Sequence, residues 1–505
     1  MSSEIPKVLA PAYDDAEKGT FDVHSSPVDL IYNEKQALTF PKDEKELAVA
    51  SVFPVSEAKK EQTPPKTPSK PPKKKASKWI ILQLWYNTYR KLFTIAFSVN
   101  IIMFGFAVSG HWAYAVKYGS AMAVANFNVS FLVRNEIFGR CLYIFVNTLF
   151  AKWTPLWWRL GCTSVLQHLG GIHSGCAISG IIWLTFRIVD TYRNHYNEHD
   201  AILVFGLAAN VVLIIAAIAG FPIVRNTHHN VFERNHRFFG WTGLGLTWIF
   251  TIMGDLWDPE TKKWAMNGRH VAKQQDFWFV IGMTAWIVLP WICTRHVKVD
   301  VELPSPKVAV LRFERGMQQG LLARISRSAV KEYHAFGVIS EGTHAKYHYL
   351  ICGVQGDFTR SLVNDPPRKI WTRELKLAGV SNTSTLYHRG IRICTGTGIG
   401  AALATCIQSP YWFLIWIGSD QEKTFGPTIS GLIHRNIGPE RLLLWDSRER
   451  GGRPDTMKIL KEVYHSWKAE VVFITSNYVG NSEMMQGCKE AGIPCFGTLW
   501  DFVSP

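Results

Sequence analysis

The sequence predicts a bundle of about six membrane helices, then an antiparallel β-barrel, then an α/β domain with a parallel sheet. Three observations predict that order. Apolar residues concentrate between about 93 and 294, while both flanks are more polar. Short strand-like runs separated by turn residues fill the region up to about 375. From residue 388 onward, strand-like and helix-like runs alternate. A chain of 505 residues also exceeds the size at which one hydrophobic core stops growing, so several domains are expected.

The membrane segments fall at about 93–114, 121–150, 163–187, 201–222, 238–254 and 276–294. A helix needs about 20 residues to cross the hydrocarbon. AILVFGLAANVVLIIAAIAGF, from Ala201, is the clearest of them. The second is interrupted by Arg134, Asn135, Glu136 and Arg140. Charges at that depth are costly unless paired, so Arg134 and Glu136 form a protein-facing cluster or the helix begins after them. An even number of spans places both termini on one side. Arg225, Arg234, Arg237, Arg295 and Lys298 mark that side as cytosolic, although Lys262, Lys263, Arg269 and Lys273 lie on the other. The expectation is a multi-pass integral protein of the plasma membrane or an endomembrane, inserted by its first span because no cleavable signal precedes it.

The formal charge of +15 does not point to nucleic acid, because much of the excess sits in one place. Lys59, Lys60, Lys66, Lys70, Lys73, Lys74, Lys75 and Lys78 immediately precede the first apolar segment. Such a patch attracts anionic lipid, at about 1 kcal/mol per lysine near the surface. Residues 1–77, with EQTPPKTPSKPPKKK, read as a disordered basic and proline-rich cytosolic tail. The nine cysteines show no CxxC or zinc spacing.

Residues 78–295 thus form the membrane domain. KVDVELP, KVAVLRFE, GLLARISR, HAFGVIS and YHYLICGV supply a barrel over 296–375. In 376–505, RGIRICTG precedes IGAALATCIQ, YWFLIWIG precedes EKTFGPTISGLIHRN, RLLLWDSR precedes DTMKILKEVYHSWKAE, and VVFITSN precedes NSEMMQGCKEAG. A parallel sheet of this kind binds ligands at the C-terminal ends of its strands. TGTGIG, 395–400, stands at one such end. Gly396 and Gly398 permit a tight turn and close backbone approach, Gly400 permits close helix packing, and the following helix N-terminus offers N–H groups to phosphate.

The order of these parts and several motifs resemble fungal ferric-reductase-like and NADPH-oxidase-like flavocytochromes. The nearer likeness is to a divergent fungal group, the TmpA-type integral membrane proteins. The resemblance covers most of residues 80–505 and implies a ferredoxin-reductase-like module behind the membrane helices. It also implies electron flow from a cytosolic nicotinamide through FAD to two stacked haems.

The haem pattern is broken. The family carries two histidines about 13 or 14 residues apart on each of two helices. Here LWWRLGCTSVLQHLGGIHSG has tryptophan at the first place, and His168 and His173 are too close together to serve two haems. HHNVFERNHRFFGW supplies His236, with Ile249 and Phe250 where its mate would be. His173 and His236 are the remaining ligand pair for one haem. The sequence favours the other reading, in which they are buried hydrogen-bonding residues.

The flavin strand of the family, histidine-proline-phenylalanine-threonine, is matched by YHAFGVIS. His334 is kept, Gly337 replaces the hydroxyl residue, and Ser340 is the displaced hydroxyl. GDFTRSL resembles the segment near the FAD phosphates, giving Thr359 and Arg360. For the nicotinamide nucleotide the resemblance implies Gly396, Thr397, Gly398 and Gly400, with Arg448 and Arg453 of WDSRERGGRPD placed for a 2′-phosphate. Asp420 is discordant, since an acid suits the ribose diol of NADH; the paired arginines favour NADPH. The family's cysteine-glycine pair near the nicotinamide is replaced by Ser476 and Asn477, with Cys495, Phe496, Trp500 and Phe502 farther on. Two readings result. One is a membrane flavoprotein taking electrons from NAD(P)H, and the alternative is a haemless, catalytically weak sensor or accessory protein in signalling or secondary metabolism.

Overall fold

A computed structural model describes residues 76–330 and 333–498. The proline-rich tail, its lysines up to Lys75, and Trp500 and Phe502 lie outside the described residues. Helix α1 (Lys78–Trp85) and α2 (Thr88–Val108) start on Ser77 and Asn87, whose side chains accept the N–H groups of Ile80 and Arg90. Then follow α3 (Gly119–Leu132), α4 (Glu136–Leu149), α5 (Leu156–Gln167), α6 (Gly170–Arg193), α7 (Asp200–Ala219), α8 (His229–Leu256) and α9 (Gln275–Ile292).

Four of these helices, α2, α6, α7 and α9, are long and apolar enough to cross a membrane. That corrects the expectation of six. The segment 121–150 is two helices, α3 and α4, because Asn135 breaks it: its Oδ1 accepts the N–H groups of Ile137 and Phe138 at 2.9 Å and starts α4 afresh. Glu136 then opens α4 and pairs with Arg324 and Arg373 of the barrel rather than with Arg134. The segment 238–254 lies inside the 28-residue α8, whose opening turns carry HNVFERNHRF. The glycines of α6 bring it against α2. A Cβ on Gly171 would strike the Tyr89 carbonyl, and one on Gly175 would lie 2.9 Å from the Ala96 Cβ.

The next strands are β1 (Thr294–Lys298), β2 (Asp300–Ser305), β3 (Val308–Glu314), β4 (Leu321–Ser326), β5 (His334–Ser340) and β6 (Tyr347–Gly353). After α10 (Asp357–Asn364) come β7 (Lys369–Arg373) and β8 (Leu377–Ala378). They form one curled antiparallel sheet of eight strands in the order β1-β7-β4-β5-β6-β3-β2, with β8 on β4. Leu311, Phe313, Ile325, Leu350 and Ile370 fill its interior. The strand runs read from the sequence reappear here almost residue for residue.

The α/β part contains β9 (Gly390–Thr395), α11 (Ile399–Gln408), β10 (Trp412–Gly418), α12 (Gln421–Asn436) and β11 (Leu442–Asp446). It ends with α13 (Thr456–Ser466), β12 (Val471–Thr475), α14 (Tyr478–Glu490) and β13 (Cys495–Phe496). All pairings are parallel, in the order β11-β10-β9-β12-β13. The winding therefore reverses between β9 and β12, where such sheets open a crevice. Ile391 and Ile393 pack on one face, while Cys394 packs with Trp412 and Phe473 on the other. Strand β5 lies directly on α11, since a Cβ on Gly337 would collide with the Gly400 carbonyl.

Candidate functional site

A cavity of about 1200 Å³ opens between the barrel and the first turns of α8. On the barrel side it is built by two local devices. Strand β5 presents His334, Ala335 and Phe336, and the His334 ring lies over Phe358 with centroids 4.1 Å apart and planes 20° from parallel. The turn after β6 is closed by Thr359, whose hydroxyl accepts the N–H groups of Gln355 at 3.0 Å and Gly356 at 3.2 Å. It donates in turn to the Gly356 carbonyl at 3.1 Å. That closure aims the opening of α10 at the cavity, where a helix N-terminus favours an anion.

The opposing wall comes from the helical part. Glu233, Arg234, Arg237, Phe238 and Trp241 of α8 and Trp291 of α9 line it. The α8 positions recur at the spacing of one helical face, and of them Arg234 and Arg237 were read from the sequence only as a charge signal for orientation. The helical spacing 234, 237, 241 was the signal that could have found them. The volume is of the class that takes a large cofactor. The lining combines two guanidinium groups and a helix N-terminus, donors of the kind a pyrophosphate takes, with the carboxylates of Glu233 and Asp357.

Of the flavin residues expected from the sequence, the fold brings His334, Thr359 and Arg360 to this cavity. Arg360 is exposed beside Asp357, at 3.7 Å. Ser340 lies elsewhere. It is 1% exposed, accepts the Met317 N–H at 3.0 Å and donates to the Gly342 carbonyl at 3.0 Å, so it shapes the turn after β5.

The nucleotide loop stands at the reversal of the sheet. Gly396 has φ +51°, the left-handed conformation that favours glycine. Its carbonyl is fixed by the Trp416 indole at 3.0 Å. A Cβ on Gly398 would strike the Thr475 carbonyl, and Gly400 packs against Ile351 of the barrel. Thr397 sits against Gly353, which ends β6. The loop therefore touches both the barrel and strand β12. Across the crevice, the hydroxyls of Thr395 and Ser476 are 2.7 Å apart, and Asn477 accepts the Gly480 N–H to start α14.

At the end of β11, Arg448 is exposed and bonds Asp420 at 2.5 Å. That bond raises the guanidinium pKa and fixes the arginine to the discordant acid. Arg453 is exposed on the same loop, and nothing in the described contacts fixes it. Asp446 organises the loop by accepting the N–H groups of Gln421 at 3.0 Å and Arg448 at 2.8 Å. Burial works to raise this carboxyl, yet the N–H groups outweigh it and hold it below the usual range.

His173 and His236 do approach each other. Their ring centroids are 6.5 Å apart, edge to face. Each uses Nδ1 on a backbone carbonyl, Ser130 for His173 and Ala216 for His236, both at 3.0 Å. Carbonyl bonds of this kind orient ligating histidines, and they equally satisfy buried ones. No cluster of three or more metal-ligating side chains occurs among the described residues. Cys495 lies beside Met485 at 3.6 Å and pairs at the level of Val472, well below the strand ends.

Residues 380–502 match the family model described as the C-terminal domain of adenylate-forming reductase 03009. Two curated proteins of Coprinopsis cinerea are similar over most of the chain. Adenylate-forming reductase 06235 is 29% identical over 425 residues, which is 82% of this chain and 40% of that protein. Adenylate-forming reductase 03009 is 28% identical over 426 residues, with the same coverage of 82% and 40%. The chain thus spans 40% of the length of these relatives. Among solved structures, phthalate dioxygenase reductase is 8% identical with a TM-score of 0.32, covering 40% of this chain and 68% of that one. The relatives are fungal reductases; a ferric-reductase or NADPH-oxidase kinship is not among these matches.

Proposed function

We propose that the chain is the membrane-held electron-transfer part of a reductase, an NAD(P)H-dependent flavoprotein. The observation that carries this reading is the cavity shared by α8, β5 and α10. FAD bound there would supply the acceptor for a hydride from the nicotinamide. Arg234 and Arg237 would pair with its pyrophosphate, the α10 N-terminus and the Thr359 turn would face the same group, and His334 on Phe358 would form an apolar wall. Gly396, Thr397, Gly398 and Gly400 would admit the nucleotide diphosphate at the reversal of the sheet. Arg448 and Arg453 would meet a 2′-phosphate once Arg448 leaves Asp420. The names of the Coprinopsis relatives support the reductase class.

The same reading places the chain as a multi-pass protein of the plasma membrane or an endomembrane, with both termini cytosolic and the basic tail on anionic lipid. The acceptor would be a quinone, a soluble oxidant, or a haem held by His173 and His236. The second reading, a haemless sensor or accessory protein, is favoured by one observation. Ser476 and Asn477, at the nicotinamide end, are committed to Thr395 and to the α14 cap.

Visible spectroscopy separates the readings. The purified protein in detergent, recorded anaerobically before and after NADPH, is expected to show flavin bands that bleach. A sharp Soret band would assign the histidine pair to haem. A flavin-free, featureless trace, unchanged by added FAD, would overturn the flavoprotein and leave the sensor.

A further inference from the structure

We infer that α4 and α5 form a hairpin lying in the headgroup layer of the bilayer, with one face on lipid and the other holding the α/β domain. This rests on the membrane reading above. The two helices have 14 and 12 residues, short of the about 20 needed to cross.

One face is spoken for. Tyr143, Val146 and Leu166 are buried in the same core cluster as Cys394, Ala402 and Phe473 of the α/β domain. Arg159, 4% exposed, donates to both carboxylate oxygens of Glu470 at 2.8 and 3.0 Å and to the Leu386 carbonyl at 3.0 Å. The Thr163 and Tyr387 hydroxyls meet at 2.7 Å, and Asn147 Nδ2 donates to the Asn382 carbonyl at 3.0 Å.

The opposite face is open and uncharged. On α4 the exposed positions are Cys141, Ile144, Phe145, Thr148 and Leu149, the spacing of one helical stripe. The turn and α5 continue it with Trp153 and Trp157, which are 75% and 70% exposed. A face turned to water carries charges; here the exposed positions of α4 and α5 carry none, Arg140 of α4 is half-buried with its guanidinium toward the Lys376 carbonyl, and Lys152 is exposed in the turn. Exposed tryptophans beside a basic residue are the pattern of the membrane interface, where indole rings settle at headgroup level.

The hairpin is also tied to the candidate spans. The Thr88 hydroxyl, at the first residue of spanning helix α2, is 2.7 Å from Ser164 of α5. Asn135, at the start of α4, donates at 2.6 Å to the Trp286 carbonyl of spanning helix α9, inside that helix and short of its end at Ile292. The apolar stripe is therefore continuous with the first residue of one candidate span and with the flank of another, and lipid is the occupant this continuity supplies.

The test is photo-crosslinking of the full chain in nanodiscs of phosphatidylcholine and phosphatidylserine. The p-benzoylphenylalanine probe is introduced singly as Phe145→probe and Trp157→probe. The lipid control is Ile214→probe, on the exposed face of α7, and the water control is Leu303→probe, exposed on β2 at the far edge of the barrel sheet. Lipid adducts at 145, 157 and 214, well above the level at 303, are the expected result. Adducts at 214 without adducts at 145 and 157 would overturn the hairpin while leaving the membrane reading intact. Failure at 214 would remove the membrane reading and the hairpin with it. Crosslinks from 145 or 157 to a second copy would replace lipid with a dimer interface.

Discussion

The cavity between α8 and the barrel and the crevice of the α/β sheet are built differently. At the cavity the polar groups surround open space: Arg234 and Arg237 of α8 and the α10 N-terminus line a volume of about 1200 Å³. On the α/β side they are engaged with one another. Arg448 holds Asp420, Ser476 holds Thr395, and Trp416 holds the Gly396 carbonyl. A preformed cavity costs little reorganisation on binding, whereas groups already paired must exchange partners. On the reading proposed above, this contrast suits a tightly held flavin and a weakly held, exchangeable nicotinamide.

The largest expected effect comes from joining the two sides too tightly. Gly337→Ala puts a methyl group against the Gly400 carbonyl, which belongs to helix backbone and cannot rotate away. Overpacking of that kind costs about 1–3 kcal/mol. Thermal melting should fall by several degrees, and reduction by NADPH should be lost with it. Unchanged melting and reduction would mean that the barrel and α11 are not in close contact.

A pH titration sharpens the contrast at the next level. His348, inside the barrel sheet, is 3% exposed and its Nδ1 lies 2.6 Å from the Arg315 carbonyl. Burial chiefly, with Lys376 and Arg315 nearby, lowers its pKa to about 4 from 6.5. The unfolded chain therefore binds the proton first as pH falls. Stability is full above pH about 6.5 and declines toward pH about 4, by about 2–3 kcal/mol. Melting curves should show that decline in the natural protein and a flatter one in His348→Asn. Cys406 of α11, whose thiol burial pushes up to about 12, is neutral in both folded and unfolded chains over this range and adds no slope.

The smallest effect concerns the choice of nucleotide. Asp420→Asn removes the carboxylate that occupies Arg448, an exposed pair of the kind worth about 0.2–1 kcal/mol. The ratio of NADPH to NADH affinity should rise by about 2–5-fold, measured as half-saturation of flavin reduction. A fall in that ratio would place the 2′-phosphate elsewhere.

Much of the fold was legible because its signals are local. Alternation in VAVLRFE and HAFGVIS, and strand-helix alternation from Gly390, depend on neighbours in sequence, and the strands lie where those patterns place them. The glycine loop was legible for the same reason. The helical part was less so. A long apolar stretch suggests one helix, and only the cap formed by Asn135 divides it into α3 and α4. Arg234 and Arg237 read in the sequence as a topology signal, and their place in the cavity lining needs the barrel to be folded against α8. Ser340 read in the sequence as the displaced hydroxyl of the flavin-type strand, but its side chain turns into the β5–β6 connection.

The account stands on the cavity, so the most direct measurement is equilibrium FAD binding to flavin-stripped protein with Arg234→Gln and Arg237→Gln combined. Each lost charge-assisted contact is worth about 1.5–3 kcal/mol, so affinity should fall by about 100-fold or more while melting stays unchanged. An affinity equal to that of the natural protein, with the same melting temperature, would contradict the assignment of this cavity to the flavin.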